Sequence, residues 1–110
     1  MDVPEIDVVA LAARGDQATE LIDVRRPDEF DTVRVPGARL IPLADLVERI
    51  DEVPTDGTVY VICATGVRSA KAAAHLRSLG IDAVNVAGGT KAWMEAGFPT
   101  DRAGSEAGPG

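Results

Sequence analysis

Apolar residues along the chain alternate between the spacing of helices and the spacing of strands. A first helix is predicted to begin at Pro4 and to end at the cap Gly15, because apolar residues recur at the i, i+3, i+4 and i+7 positions of one face. This face consists of Ile6, Val9, Ala10 and Ala13. The next apolar segment, 21–24, is short enough for a strand, and residues 25–32 suit a loop with one helical turn.

The middle of the chain carries the most regular helical pattern. Residues 38–41 are a weaker strand candidate, and Pro42 then begins a helix that is predicted to continue to Ile50. The predicted apolar face consists of Leu43, Leu46, Val47 and Ile50. The predicted outward face consists of Asp45, Glu48 and Arg49. Such a complete apolar face is typical of a surface helix.

The second half of the chain repeats the strand and helix pattern. A strand is predicted at 58–62, followed by a helix that Ser69 can cap and that ends at Gly80. A strand at 83–86 then precedes a last helix, which follows the glycine pair 88–89. Because strands alternate with helices, we predict an α/β fold with a small parallel sheet of about five strands, flanked by helices on both faces.

The composition indicates one globular domain in a chain of 110 residues. Residues 1–100 are predicted to form it and residues 101–110 a flexible C-terminal tail, because the last residues carry no apolar pattern. No apolar run reaches the ~18 residues of a membrane span, and the N-terminus lacks the layout of a secretory signal. The single cysteine cannot form an internal disulfide, so a cytoplasmic location is expected. The net charge of −7 and the aromatic content of 4% disfavour nucleic acid and anionic membranes as partners.

The clearest chemistry lies around the only cysteine. Cys63 follows the predicted strand 58–62 and opens the segment 63–69, after which an alanine-rich helix begins. Backbone N–H groups and a helix dipole at such a turn can lower a thiol pKa from ~8.5 to ~3.5–7.5. Gly66 permits a tight turn and Arg68 adds a positive charge. The segment predicts an activated sulfur beside an anion-binding loop, with an inert core cysteine as the alternative.

Other thiol and metal chemistries lack the residues that they require. The only histidine, His75, falls near the middle of the helix after Cys63, where it cannot easily return to the thiol as a general base. One cysteine and one histidine do not make a zinc site, so no metal and no cofactor are expected.

Four stretches, taken in order, resemble the rhodanese domain of sulfurtransferases. They are LIDVR at 21–25 with DEF at 28–30, VPGARLIP at 35–42, VICATGVRSA at 61–70, and VAGGTKAW at 86–93 with AGFP at 96–99. The resemblance covers about residues 2–100. Members usually carry Gly-His where this chain has Val33 and Arg34, and this departure is expected to affect local packing rather than chemistry.

The resemblance implies a sulfur transfer that proceeds through Cys63. The thiolate attacks the outer sulfur of a small anionic donor such as thiosulfate, holds it as a persulfide, and passes it to cyanide, a thiol or a protein acceptor. The backbone N–H groups around the sulfur are expected to stabilise the anion, and Arg68 to orient the donor. The predicted substrate-binding residues are Ala64, Thr65, Gly66, Val67, Arg68 and Ser69.

Residues outside this segment are expected to support the site. The resemblance implies that Arg25 pairs with Glu29 and that Asp23 bonds backbone near segment 63–69, so that none of the three contacts substrate directly. Trp93 is expected in the core together with Phe30. The glycine pair 88–89 suits a turn with positive φ or a close backbone approach.

Two other functions stay open at this point. Phosphatases and arsenate reductases of the same fold resemble this loop, but they have five residues between the cysteine and the arginine. Four lie between Cys63 and Arg68, which suits a single sulfur better than a tetrahedral oxyanion. The second alternative is a binding or sulfur-carrier module without turnover of its own. Each form of the sulfur-transfer hypothesis requires a sulfur that ionises readily and is not turned inward, away from solvent.

Overall fold

A computed structural model describes residues 2–15 and 20–104 of the chain. Within these ranges five strands form one parallel sheet, in the order β1-β5-β4-β2-β3. The strands are β1 (Glu5–Ile6), β2 (Glu20–Asp23), β3 (Arg39–Leu40), β4 (Val59–Ile62) and β5 (Ala83–Val86). The predicted fold class is confirmed, with β2, β4 and β5 at the centre of the sheet and two-residue strands at its edges.

Helices cover both faces of this sheet. The α-helices are α1 (Val8–Arg14), α2 (Pro27–Thr32), α3 (Val67–Ser78) and α4 (Gly89–Glu95). Two short 3₁₀ helices cover Leu43–Asp45 and Ile50–Glu52. In the part of the chain that the structure describes, every helix is too short or too polar to cross a bilayer.

The central strand β4 is buried on both faces, and its alternation divides the core. Val59 and Val61 pack with α3, whereas Tyr60 and Ile62 pack with α1 and α4. Trp93 belongs to the second cluster, as expected, but its aromatic partner is Phe98, at 4.9 Å between ring centroids. The two-sided apolar character of β4 therefore places its C-terminal end, and the loop that follows it, in the middle of the domain.

The helix predicted from Pro4 begins later than expected. Glu5 and Ile6 form β1 and pair with β5, and α1 starts only after Asp7, whose carboxylate accepts the Ala10 N–H at 2.8 Å. Val9, predicted to be buried, is 62% exposed, and Val8 and Leu11 are buried instead. The capping carboxylate and the sheet pairing decide the start of α1, and they outweigh the apolar spacing. Gly15 caps the helix as predicted.

The helix predicted over 42–50 is wrong. The Leu43 N–H donates to Val24 O at 3.0 Å, which ties the segment to the sheet, and 3₁₀ turns with about three residues per turn follow. This geometry buries Leu46 and leaves Val47 68% exposed. Arg49 does not simply face outward, because its guanidinium donates to Leu40 O and to the carboxylate of Glu52.

The chain is hydrogen-bonded to the domain beyond residue 100. Arg34 and Asp101 exchange two backbone hydrogen bonds of 2.9 Å, and the Ala103 N–H donates to Asp31 O. Residues 105–110 of the predicted tail lie outside the described residues.

The positions at which the chain departs from Gly-His take part in packing. The Arg34 guanidinium lies 4.6 Å from the ring centre of Phe30. Phe30 is half-buried at this contact and belongs to neither core cluster, so its predicted place in the core is wrong. Val33 offers its carbonyl to the guanidinium of Arg25. The Arg34 side chain thus packs locally, whereas Val33 contributes its backbone carbonyl.

Candidate active site around Cys63

The reactive segment lies at the carboxyl end of the central strand. Cys63 follows β4 directly, and α3 begins at Val67, so a turn of four residues connects them. Gly66 closes this turn at φ 101°, a left-handed conformation that favours glycine. A Cβ at this position would also lie 3.2 Å from Gly88 N, since the two backbones pass close together. The turn and the first turn of α3 form loop 63–69.

The sulfur of Cys63 is surrounded by hydrogen-bond donors of its own loop. Sγ accepts the Gly66 N–H at 3.1 Å and the Ser69 hydroxyl at 3.2 Å. Burial raises the pKa of the Cys63 thiol, but hydrogen bonds from the Ser69 hydroxyl and from the N–H groups of Ser69, Gly66 and Thr65 outweigh it, and the pKa lies below its ordinary value. The arrangement favours a thiolate at this position.

The structure buries Cys63, contrary to the expectation of a solvent-accessible sulfur. Cys63 exposes only 1% of its surface and belongs to the core cluster on the α3 face of the sheet. The exposed residues of the loop are Thr65 and Val67, and Val67 is 63% exposed. A substrate therefore reaches Sγ only through the loop itself, so the loop must admit or yield to the attacking atom.

Arg68 and Glu29 form a two-pronged ion pair beside the loop. The guanidinium donates to both carboxylate oxygens, at 2.8 and 2.9 Å, and joins α3 to α2. The hydrogen bonds from Arg68 lower the pKa of Glu29 to about 2. The expected pair of Arg25 with Glu29 is therefore wrong, because Glu29 pairs with Arg68 and Arg25 pairs with Asp23.

Arg25 instead binds the aspartate two residues before it. Its Nε and Nη2 donate to the Asp23 carboxylate at 2.8–3.0 Å, and Nη2 also donates to Val33 O at 2.7 Å. Both side chains are buried, with 0% and 3% exposure. Asp23 was expected to bond the backbone near loop 63–69. Among the described residues, its carboxylate instead accepts hydrogen bonds from Arg25. Asp23 and Arg25 support the edge of the sheet that carries the site.

The N-terminal end of α4 holds the carbonyl groups of the loop. The N–H and hydroxyl of Thr90 donate to Cys63 O at 2.9 and 3.0 Å, and the Lys91 N–H donates to Ala64 O at 3.0 Å. Gly89 makes this contact feasible, because a Cβ there would lie 2.5 Å from Cys63 O. The predicted close approach of the glycine pair is confirmed. Thr90 was missed, although its place directly after two glycines marks it as the start of a helix facing the loop.

Ser69 has a different role from the predicted helix cap. Gly66 occupies the N-cap position, and Ser69 lies fully buried in the first turn of α3. Its hydroxyl donates to Cys63 Sγ and lies 2.6 Å from Asn85 Oδ1. Asn85 was also missed. A polar residue between the valines of a buried strand is the feature that could have indicated it.

His75 lies partly buried in α3, on the stretch of the helix that leads away from the loop. The described residues contain no cluster of His, Cys, Asp and Glu that could hold a metal ion. The site brings together one thiol, the donors around it and the ion pairs beside it.

Comparisons with known proteins agree on one family. Residues 7–96 match the rhodanese-like domain. A sulfurtransferase of Allochromatium vinosum is 35% identical over 100 residues, which cover 88% of this chain and 94% of that protein. The uncharacterized protein YqhL of Bacillus subtilis is 45% identical over 80 residues, or 72% of this chain. The crystal structure of a rhodanese-related protein from Thermoplasma volcanium superposes with a TM-score of 0.84 at 34% identity, covering 89% of this chain and 97% of that one.

Some curated relatives are longer than the matched region. The match spans 64% of YqhL. It spans 51% of the putative sulfur carrier protein YrkF of Bacillus subtilis, which is 32% identical over 83% of this chain.

Proposed function

The chain belongs to the rhodanese-like domain family, and on that premise we propose that it transfers sulfane sulfur through a persulfide on Cys63. The observation that carries this proposal is the convergence of donors on Sγ, with a thiol pKa below its ordinary value. The names of its relatives, a sulfurtransferase and a putative sulfur carrier, support sulfur transfer in general. With its single cysteine, the chain suits a reduced compartment such as the cytoplasm.

The transfer takes place in two displacements at sulfur. The Cys63 thiolate attacks the outer sulfur of a donor such as thiosulfate, the S–S bond of the donor breaks, and sulfite leaves with the bonding electron pair. An acceptor nucleophile, cyanide or a thiol, then attacks the terminal sulfur, and Cys63 leaves as a thiolate. Neither displacement needs a general base, because both leaving groups are stable anions.

We expect loop 63–69 to stabilise the anionic sulfur both as the Cys63 thiolate and as the persulfide. Backbone N–H groups of Thr65, Gly66 and Ser69 lie around Sγ and provide a cradle of neutral dipoles. The side chains of Ala64 and Val67 leave this cradle uncharged, and the proposed donor site lies at its mouth. Such a preorganised cradle favours the thiolate both as nucleophile and as leaving group.

Arg68 is expected to attract an anionic donor less strongly than an unpaired guanidinium would. Its guanidinium is held by both oxygens of Glu29, and its side chain is 33% exposed. We propose that the pair fixes the first turn of α3 and leaves only a weak positive field for an anionic donor. The same pair argues against phosphatase or arsenate reductase chemistry, in which the guanidinium must be free to bind a tetrahedral oxyanion.

A sulfur carrier without turnover of its own is the second candidate. The 1% exposure of Cys63 favours it, since a shielded persulfide survives long enough to meet a protein acceptor. Both candidates share the persulfide, and they differ in whether small acceptors can discharge it.

Mass spectrometry of the intact protein tests the persulfide, and a second step separates the candidates. Incubation with thiosulfate is expected to add one sulfur atom to the wild-type chain and none to Cys63→Ala. Cyanide or a small thiol should then remove the sulfur repeatedly if the chain is a sulfurtransferase. Loading without discharge by small acceptors would support the carrier, and no adduct from any donor would refute both.

A further inference from the structure

Asn85 is a buried polar side chain linked to the reactive sulfur through one intermediate hydroxyl. It lies in β5, exposes 1% of its surface, and contacts three different elements of the fold. Oδ1 lies 2.6 Å from Ser69 Oγ, and Nδ2 donates to Glu5 Oε2 at 2.8 Å and to Gly66 O at 3.2 Å. Ser69 Oγ in turn lies 3.2 Å from Cys63 Sγ. The mechanism above leaves Asn85 and Glu5 without a function.

The orientation of the Asn85 amide follows from its neighbours. Glu5 Oε2 and Gly66 O are acceptors, so the two hydrogens of Nδ2 must point towards them. Oδ1 then faces Ser69, and it can only accept. The Ser69 hydroxyl has a single hydrogen, and two acceptors lie within its reach, Asn85 Oδ1 and Cys63 Sγ. It cannot serve both at once.

We propose that Asn85 is a positioning residue that competes with Cys63 Sγ for the single hydrogen of the Ser69 hydroxyl. While Cys63 is a thiol, its S–H donates to Ser69 Oγ and the Ser69 hydroxyl donates to Asn85. When the thiol proton leaves to solvent, the hydroxyl rotates and donates to the anionic Sγ. In the persulfide, which rests on the proposed function, the negative charge lies on the outer sulfur and the Ser69 hydroxyl returns to Asn85.

Charged groups on three elements lie near the hydrogen bonds that join Asn85, Ser69 and Cys63. The Glu5 carboxylate, from β1, polarises the Asn85 amide and makes Oδ1 a stronger acceptor. Arg68 of α3 faces the sulfur, and its charge is largely balanced by Glu29 of α2.

At the end of β2, Asp23 and Arg25 are paired with each other, and Lys91 of α4 bonds to the loop through its backbone N–H. Glu5 is therefore the charged group that acts on Ser69 through Asn85.

The competition predicts opposite effects for two neighbouring substitutions. Ser69→Ala removes a donor from the thiolate and should raise the pKa of Cys63. Asn85→Leu removes the competing acceptor at similar volume and should lower it. Each change is expected to alter the ratio of thiolate to thiol at a given pH by roughly threefold to tenfold, the size of one ordinary hydrogen bond.

A titration of thiolate absorbance in the ultraviolet, with alkylation by iodoacetamide as a second readout, measures these shifts. The double variant Ser69→Ala with Asn85→Leu is expected to match Ser69→Ala alone, because Asn85 acts through Ser69. An Asn85→Leu pKa that is unchanged or raised would overturn the proposal, and so would additive shifts in the double variant. If Asn85 merely joined β1, β5 and the loop, its replacement would not lower the pKa of the Cys63 thiol.

Glu5→Gln provides the test if Asn85→Leu fails to fold. It leaves the Asn85 hydrogen bond in place and removes only the charge, so the pKa of Cys63 should fall when Ser69 is present and stay constant in the Ser69→Ala background. Equal shifts in both backgrounds would show a through-space charge effect and refute the competition, as would the absence of a shift with Ser69 present. None of these titrations uses a sulfur donor, so their failure and a failure of sulfur transfer are separate results.

Discussion

The surroundings of Cys63 are neutral, whereas the neighbouring part of the site consists of ion pairs. Around Cys63, neutral hydrogen-bond donors converge on one sulfur and no charged group among the described residues bonds to it directly. Beside the loop, charged side chains pair with one another, as Asp23 does with Arg25 at the end of β2 and Glu29 of α2 does with Arg68 of α3. The comparison teaches that the charges hold the scaffold, whereas neutral dipoles prepare the reacting atom.

Removing the sulfur is the most drastic test of this division. Cys63→Ala should abolish sulfur loading completely, because no other thiol exists in the chain. The loss of one buried sulfur atom should lower the free energy of unfolding by only about 1 kcal/mol. Intact-mass analysis and urea unfolding check the two results. Sulfur bound to the alanine variant would place the chemistry elsewhere.

Breaking the buried ion pair should instead affect the scaffold. Arg25→Ala leaves the Asp23 carboxylate buried without a partner, and we expect a loss of about 3–5 kcal/mol in the free energy of unfolding. Sulfur loading should decline together with the folded fraction. The control Asp23→Asn with Arg25→Ala leaves no unpaired charge and should recover part of the loss in urea unfolding. Lost activity with an unchanged melting curve would show that Arg25 contacts substrate.

The contact between α4 and loop 63–69 belongs to the neutral side of the site. Gly89→Ala should destabilise the domain by about 1–3 kcal/mol, because its φ is +61° and the new Cβ would clash with Cys63 O. Gly80→Ala is the matched control, since Gly80 has φ +86° and open space within 4 Å of the position that a Cβ would occupy. Urea unfolding and iodoacetamide alkylation should show that only Gly89→Ala changes the reactivity of Cys63.

The smallest effect is expected from the partly buried ion pair of Glu29 with Arg68, and it depends on pH. The pKa of Glu29 is lowered to about 2 in the folded chain, whereas an unfolded glutamate titrates near 4.3. The pair should stabilise the fold fully above about pH 4.3 and lose this contribution as the pH falls towards 2. Melting temperatures of wild type and Glu29→Gln should therefore converge at low pH. The exposed Glu48→Gln should follow the wild type throughout, and a gap between wild type and Glu29→Gln that persists at pH 2 would contradict the assignment.

Sequence patterns predicted the position of the reactive loop better than the residues that contact it. Strand β4, Cys63 and the turn at Gly66 follow from local preferences that neighbouring residues determine, and they appear in the structure as predicted. The pairing of Arg68 with Glu29 spans 39 positions, and the contact of Ser69 with Asn85 spans 16. Such pairs depend on which strands lie side by side, and apolar spacing does not encode this.

The segment 42–52 shows the converse failure. Its apolar spacing favours a helix, yet the first backbone hydrogen bond of the segment goes to Val24 in the neighbouring chain segment, and the turns that follow are 3₁₀. Tertiary hydrogen bonding thus overrides a local preference. Similarly, the start of α1 at the cap Asp7 was not predicted, because it depends on β1 pairing with β5.

The attachment of Cys63 O to Thr90 has a consequence for biosynthesis. The two residues are 27 positions apart, so the reactive turn acquires its final shape only after the last helix has been synthesised and has docked. A nascent or truncated chain that ends before residue 90 would carry the cysteine in an unshaped peptide, with the ordinary reactivity of a free thiol. The raised reactivity of the Cys63 thiol therefore depends on completion of the fold.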